Sequence, residues 1–250
     1  LTKLEESYHV FTTPTGFGAV FLAIFSVTRP GDEIMVADPV YHPTRLLTEN
    51  YLNEFNIKTI FYDPHNLKTI EKGITKKTKL VAFIHVSNIV GTINPVKKFT
   101  KFIHNHGAMV CVDGVAYAPH RAVNVIDWNV DFYVLSLYKT YGPHHAALYC
   151  RMDHMEKLDN LYHFFYGKDK IPAKMEPGNA NYELSYASGA IVDYLSEIGA
   201  ATKNTATVRD NIEIAFEQIT DHEITLNSIL LDYLTSREDC TIIGSENGTS

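Results

Sequence analysis

The sequence predicts an α/β fold, a mostly parallel seven-stranded sheet with helices on both faces. Short runs rich in β-branched and aromatic residues alternate with helix-period segments through the first 150 residues, the pattern of successive βαβ units. Met109 to Asp113 and Asp131 to Ser136 read as strands buried in the middle of that sheet. Gly31-Asp32, Gly107 and Gly142-Pro143 punctuate the elements with turn and cap chemistry.

Taken in order, the first strand is predicted from His9 to Thr12, and Thr13-Pro14-Thr15-Gly16-Phe17-Gly18 joins it to a helix starting near Thr15. Glu33 to Ala37 is the second strand, followed by a helix from about Thr44. Lys58 to Tyr62 is the third, with a helix from about Leu67. Leu80 to Val86 is the fourth; the next helix has Asn94 as N-cap and Pro95 at its first position, where the missing N–H costs nothing. Met109 to Asp113, Phe132 to Ser136 and Ala146 to Cys150 complete the seven.

After Arg151 the pattern changes. An aromatic stretch, Leu161 to Tyr166, runs into a Pro/Gly/Asn segment from Pro172 to Asn181, and helices follow over Glu183 to Ile198 and Thr205 to Thr235. The joint from Gly199 to Asn204 divides the chain into a large domain, residues 1–200, and a linking helix that begins a smaller domain, residues 201–250. No internal repeat or low-complexity tract is present.

Composition narrows the function classes. With 22 Lys+Arg against 29 Asp+Glu, the formal charge of −7 and the lack of a basic stripe argue against nucleic acid as a partner. The longest apolar run, Phe17 to Val27, falls short of the roughly 20 residues a membrane span needs. Cys111, Cys150 and Cys240 are odd in number and widely spaced, which favours a reducing, cytoplasmic setting over a disulfide framework. Leu1 opens the chain without a basic n-region or apolar signal core, and the chain is expected to be a fragment of a longer protein. His104-Asn105-His106 and His144-His145 lack metal-ligand spacing, so no metal is expected.

Lys139 follows Asp113 by 26 positions: Asp113 ends the run from Met109, and the run from Asp131 to Lys139, read as a second buried strand, delivers a hydroxyl and then an amine. Ligands of open α/β sheets bind outside the carboxyl ends of the strands, so the acid and the amine arrive at one crevice. An aldehyde cofactor with a basic ring nitrogen, pyridoxal 5'-phosphate, needs an amine for the aldehyde and an anion for the nitrogen. Such an amine must be neutral often enough to attack, which calls for a desolvated Lys139. Thr15 and Gly16 open a helix whose N-terminal N–H groups suit a phosphate, although neither a Walker loop nor a dinucleotide fingerprint is present. His85 and Asn88 end another strand, an imidazole able to stack on a flat ring and an amide able to meet its phenolic oxygen. The bland readings are a surface lysine, a turn aspartate and a polar residue leaving the core, and they are ordinary for each residue alone.

Asp113-Gly114-Val115-Ala116-Tyr117-Ala118-Pro119-His120-Arg121, Asp131-Phe132-Tyr133-Val134 and Ser136-Leu137-Tyr138-Lys139-Thr140-Tyr141-Gly142-Pro143 closely resemble the class V aminotransferase family, most of all its cysteine desulfurase-like branch. His85-Val86-Ser87-Asn88, Gly91-Thr92, Asn94-Pro95 and Glu176-Pro177-Gly178-Asn179 extend the resemblance over roughly Lys79 to Gly199. Residues 1–65 are more similar to the cystathionine lyase family, through Pro14-Thr15-Gly16, Val40-Tyr41-His42-Pro43-Thr44-Arg45 and Phe61-Tyr62-Asp63-Pro64.

The resemblance implies the large domain of the fold type I pyridoxal-phosphate enzymes, with Lys139 as the Schiff-base lysine and Asp113 behind the pyridine nitrogen. Ser136, Thr15 and Gly16 would hold the phosphate, with Asn88 and Tyr138 beside the cofactor, and either His85 or Tyr41 stacked on its ring. Gly178 and Asn179 match a segment that reaches the phosphate of a neighbouring subunit, which implies a homodimer with shared sites. Three departures stand out: Ala116 replaces a glutamine, and the nucleophilic cysteine and the substrate-binding arginine of the branch would lie beyond Ser250. The expected function is carbon–sulfur cleavage of a cysteine-like amino acid; a truncated or degenerate fold without turnover and an aminotransferase proper are the alternatives.

Overall fold

The computed structural model describes residues 10–161, 164–176, 178, 180–203 and 205–244. His9, Pro177, Asn179 and Asn204 therefore lie outside the described residues.

The seven strands are β1 (Val10–Thr13), β2 (Glu33–Ala37), β3 (Lys58–Tyr62), β4 (Thr78–Ile84), β5 (Met109–Asp113), β6 (Phe132–Ser136) and β7 (Ala146–Cys150). They form one sheet in the order β1-β7-β6-β5-β4-β2-β3. β3, β2, β4, β5 and β6 run parallel, while β7 and β1 return antiparallel along one edge. The helices are α1 (Gly16–Val27), α2 (His42–Leu46), α3 (Leu52–Glu54), α4 (Leu67–Gly73), α5 (Val96–His104), α6 (Val125–Trp128), α7 (Met152–Met155), α8 (Tyr182–Ala187), α9 (Gly189–Thr202) and α10 (Val208–Thr235). A π-helical turn, Leu47–Tyr51, joins α2 to α3.

Each sheet face is covered, as parallel strands require. Alternate side chains sort the core into two clusters. Leu80, Ala82, Phe132 and Val134 meet Ala19, Ala23 and Ile24 of α1 on one face. Val81, Phe83, Tyr133 and Leu135 meet Ile70 of α4, Phe99 and Ile103 of α5, Leu195 of α9 and Ile212 and Phe216 of α10 on the other. Right-handed crossovers explain the partition: β3 to β4 and β4 to β5 travel the same way across the sheet, so α4 and α5 share a face.

The sequence missed some boundaries for identifiable reasons. β4 stops at Ile84, because Val86 leaves the ladder for a bridge with Ile93. α5 starts at Val96 with Pro95 in the cap position, since the Asn94 amide donates to the Ile84 carbonyl instead of capping the helix. The helix expected over Glu183 to Ile198 is two, broken at Ser188, whose hydroxyl bonds back to the Leu184 carbonyl. α10 begins at Val208, where the Thr207 hydroxyl accepts from the Asp210 N–H.

The two ends of β6 have different tasks. At its start, buried Asp131 accepts from the Val110 N–H at 2.7 Å and meets His104 Nε2 at 2.7 Å and His154 Nε2 at 2.6 Å, tying α5, β5 and α7 to one carboxylate. Burial alone pushes this carboxyl up, and the hydrogen bonds from His104, His154 and Val110 outweigh it, holding it at about 2. The other end of β6 leads to Lys139.

Candidate active site

Register places the parallel strand ends together. Asp113 pairs with Ile84 of β4 and with Val134 of β6, so Ser136 projects two residues further along the same edge. A 3₁₀ turn, Leu137–Lys139, follows, and Tyr141 with φ of 61° reverses the chain. The turn must be tight: a Cβ at Gly142 would lie 2.4 Å from Ile191 Cδ1. Lys139 is thereby presented to a cavity of about 400 Å³ above β4, β5 and β6, lined also by Ser87, Asn88, Val115, Tyr117 and Arg121.

Asp113 faces this end of the sheet. Its Oδ1 accepts from the Val115 N–H at 3.0 Å. Burial raises its pKa, opposed by that hydrogen bond and by the positive charge of Lys139, so the two predicted groups interact electrostatically. A half-buried carboxyl under this tension gains from a cationic ring nitrogen. That is the anionic acceptor the cofactor reading asks for.

The start of α1 comes to the same place. The Thr15 side chain caps the helix by accepting from the Gly18 N–H at 3.0 Å, leaving the first turn's N–H groups directed outward. A Cβ on Gly16 would lie 3.3 Å from Val115 Cγ2 and 3.7 Å from Ser136 Cβ, so the missing side chain keeps open a cradle between α1, β5 and β6. Buried Ser136 lies on its floor. Gly16, Asp113, Ser136 and Lys139, read separately from the sequence, thus belong to one constellation.

Other expectations are met differently. His85 is only 4 % exposed and lies off the wall of the Lys139 cavity. Tyr117 stacks on it at 3.6 Å with 7° between the planes, its Nδ1 meets the Tyr133 hydroxyl at 2.8 Å, and Trp128 presents an edge. Burial pushes its pKa to about 3, so the ring is neutral. Tyr41, the rival for stacking, is exposed at the start of α2. Tyr138 is exposed and stacks on His144, and Gly178 has φ of 88° on the surface. Lys139 itself is exposed, contrary to the desolvated setting expected of it. Cys111 and Cys150 are buried thiols whose pKa values burial pushes up, so neither offers a thiolate.

Other residues shape the surroundings of the site. Gly114 has no room for a side chain, since a Cβ would lie 2.1 to 2.3 Å from the Tyr133 ring that supports His85. Glu223 of α10 reaches across to His120 Nδ1 at 2.6 Å and to Arg121 Nη1 at 3.0 Å, and Asn227, one turn on, lines the Lys139 cavity. Glu176 accepts from the Thr12 N–H at 3.0 Å, satisfying the outer edge of β1 and bringing the Gly178 segment to the strand that precedes Gly16.

The aminotransferase class-V family model matches residues 5–250. The chain belongs to that family. It is 35 % identical over 227 residues to the aminotransferase-like protein FGM3 of Gibberella zeae, covering 86 % of this chain and 52 % of that protein. It is 31 % identical over 235 residues to a probable cysteine desulfurase of Halalkalibacterium halodurans, covering 86 % and 53 %. The chain thus spans about half the length of these relatives. Among solved structures, the cysteine desulfurase CsdA of Escherichia coli superposes with a TM-score of 0.70 at 20 % identity, over 94 % of this chain and 61 % of that one. O-acetylhomoserine sulfhydrylase of Wolinella succinogenes superposes with a TM-score of 0.58 at 18 % identity, over 95 % and 65 %. The fold is that of the type I pyridoxal-phosphate enzymes, as the strand-end motifs implied.

Proposed function

We propose that this chain carries the cofactor-binding half of a pyridoxal 5'-phosphate enzyme that cleaves a carbon–sulfur bond in a cysteine-like amino acid. The observation that carries the reading is the convergence of Lys139, Asp113, Ser136 and the Gly16 cradle at one sheet edge. When bound, the cofactor supplies an electron sink for the bond broken at the substrate's Cα or Cβ. Lys139 would hold its aldehyde carbon and move protons at the substrate's Cα. Asp113 would keep the ring nitrogen protonated, and Gly16, Thr15 and Ser136 would receive the phosphate. Asn88, on the wall of the same cavity, would meet the ring's phenolic oxygen. Relatives named for cysteine desulfuration and a sulfhydrylase of the same fold support sulfur chemistry over other reactions of the family.

The active species is a cytoplasmic homodimer. Exposed Phe164 (98 %), Tyr182 and Tyr186 (90 %) support it, and a second copy beside the site would exclude water from Lys139. Among the described residues, no helix is long and apolar enough to cross a membrane. The test is reconstitution with the cofactor: a visible absorbance band in the wild-type protein, lost in Lys139→Ala, and sulfide release from cysteine. Cofactor binding without any turnover would favour a non-catalytic remnant, and conversion to the amine form dependent on a keto acid would favour transamination.

A further inference from the structure

Charge along this acidic chain is segregated, and the fold gathers the positive part on one face. Residues 67–101 contain eight lysines and one acid, Glu71, a formal +7, so the other residues carry −14. α4 and α5 lie on the same face of the sheet, with Ile70, Phe99 and Ile103 in one core cluster beneath them, so their exposed lysines look out from that face. Lys97 is paired with Asp127, and Lys79 lies 4.0 Å from Asp32. Among the described residues, Lys68, Lys72, Lys76, Lys77, Lys98 and Lys101 are exposed and form no ion pair.

The surface between these lysines is grooved. Lys68 and Lys98 line one cleft of about 370 Å³. Lys98 continues with Lys97 and Lys101 into a second, of about 550 Å³, whose opposite wall carries Tyr117 and Trp128. The two clefts share Ile93, Asn94 and Pro95, and the second shares Ile93 and Tyr117 with the Lys139 cavity. A continuous track therefore leads from the cavity across two aromatic rings to unpaired ammonium groups.

We propose that this track docks an acidic polypeptide segment of a partner protein. A concave track with apolar side chains on one wall and ammonium groups on the other matches a peptide that alternates acidic and apolar residues. The ring faces also favour the cation-rimmed, partly desolvated contact in which charge complementarity sets both orientation and encounter rate. Outside residues 67–101 the protein carries a formal −14, which disfavours a long polyphosphate chain that extends past the patch and favours a short acidic segment confined to it. The inference does not depend on the cofactor or the reaction.

Trp128 is the chain's single tryptophan and lies in the track, so its fluorescence reports occupancy. The experiment titrates the 250-residue chain with a twelve-residue peptide of alternating Glu and Leu, following Trp128 emission and peptide anisotropy at low and high salt. The expected result is a saturable Trp128 response that weakens with salt. Lys68→Glu/Lys98→Glu/Lys101→Glu should bind about tenfold or more weakly, whereas Lys157→Glu/Lys170→Glu/Lys203→Glu, the same charge change elsewhere, should bind as the wild type does. Equal loss in the two triple variants, no Trp128 response, or tighter binding of a single-stranded oligonucleotide than of the peptide at the same salt would each overturn the proposal. Circular dichroism of both variants separates misfolding from lost docking.

Discussion

Replacing Asp131 by Asn tests whether one carboxylate holds the base of the strand that presents Lys139. Both oxygens act as acceptors: Oδ2 takes the Val110 N–H and faces His104, while Oδ1 faces His154 at 2.6 Å and Arg151 at 3.4 Å. An amide offers one acceptor oxygen, and its NH₂ then points at a donor whichever way it is turned. The size of the effect follows from the carboxyl's proton affinity. It sits at about 2 against an ordinary 3.8, and each tenfold change is worth about 1.4 kcal/mol, so its partners stabilise the fold by about 2 kcal/mol at neutral pH. The sign is fixed: a carboxyl depressed in the folded state contributes above 3.8 and loses that contribution as pH falls toward about 2. Urea titrations at pH 7, 5 and 3.5 should show Asp131→Asn less stable by about 2 kcal/mol at neutral pH, or about 4 to 8 °C in Tm. The gap should narrow below about pH 4. Equal stabilities at pH 7, or a gap that stays full at pH 3.5, would refute the reasoning.

Two further outcomes follow from the packing near the site. Gly114→Ala drives a Cβ to within 2.1 Å of the Tyr133 ring and should cost about 1 to 3 kcal/mol, measured by urea unfolding, as overpacking does; a neutral effect would mean the ring moves freely. Tyr133→Phe keeps that ring but removes the hydroxyl at His85 Nδ1, and should cost about 1 kcal/mol and shift the His85 titration read by NMR. An unchanged His85 titration would show that the hydroxyl does not govern the imidazole.

How much was legible can be traced through particular residues. Asp113, Ser136 and Lys139 were readable because a buried strand that ends in a charged or hydroxyl residue has few structural reasons to do so, and the parallel architecture sends all such ends to one edge. Gly16 was readable through its place at the start of a helix. His85 was readable as a functional residue only by chemical type. Its actual surroundings, Tyr117 on one face and Tyr133 at Nδ1, come from two other elements at sequence distances of 32 and 48 residues. The Asn94 cap failed for a similar reason, its amide being taken by a carbonyl ten residues earlier.

By itself the sequence determined the order of elements, the apolar faces that pair them and the chemical groups at the strand ends, because these depend on local periodicity and on the types of residue at each boundary. Only the tertiary structure decided which groups share a cavity. Register across β4, β5 and β6 set Asp113 beside the turn that carries Lys139, and Glu223 brought Asn227 of a distant helix to the wall of the same cavity. The basic track is the sharpest case: averaged along a chain of charge −7 its lysines are invisible as a surface, and right-handed crossovers that place α4 and α5 on one face turn them into one.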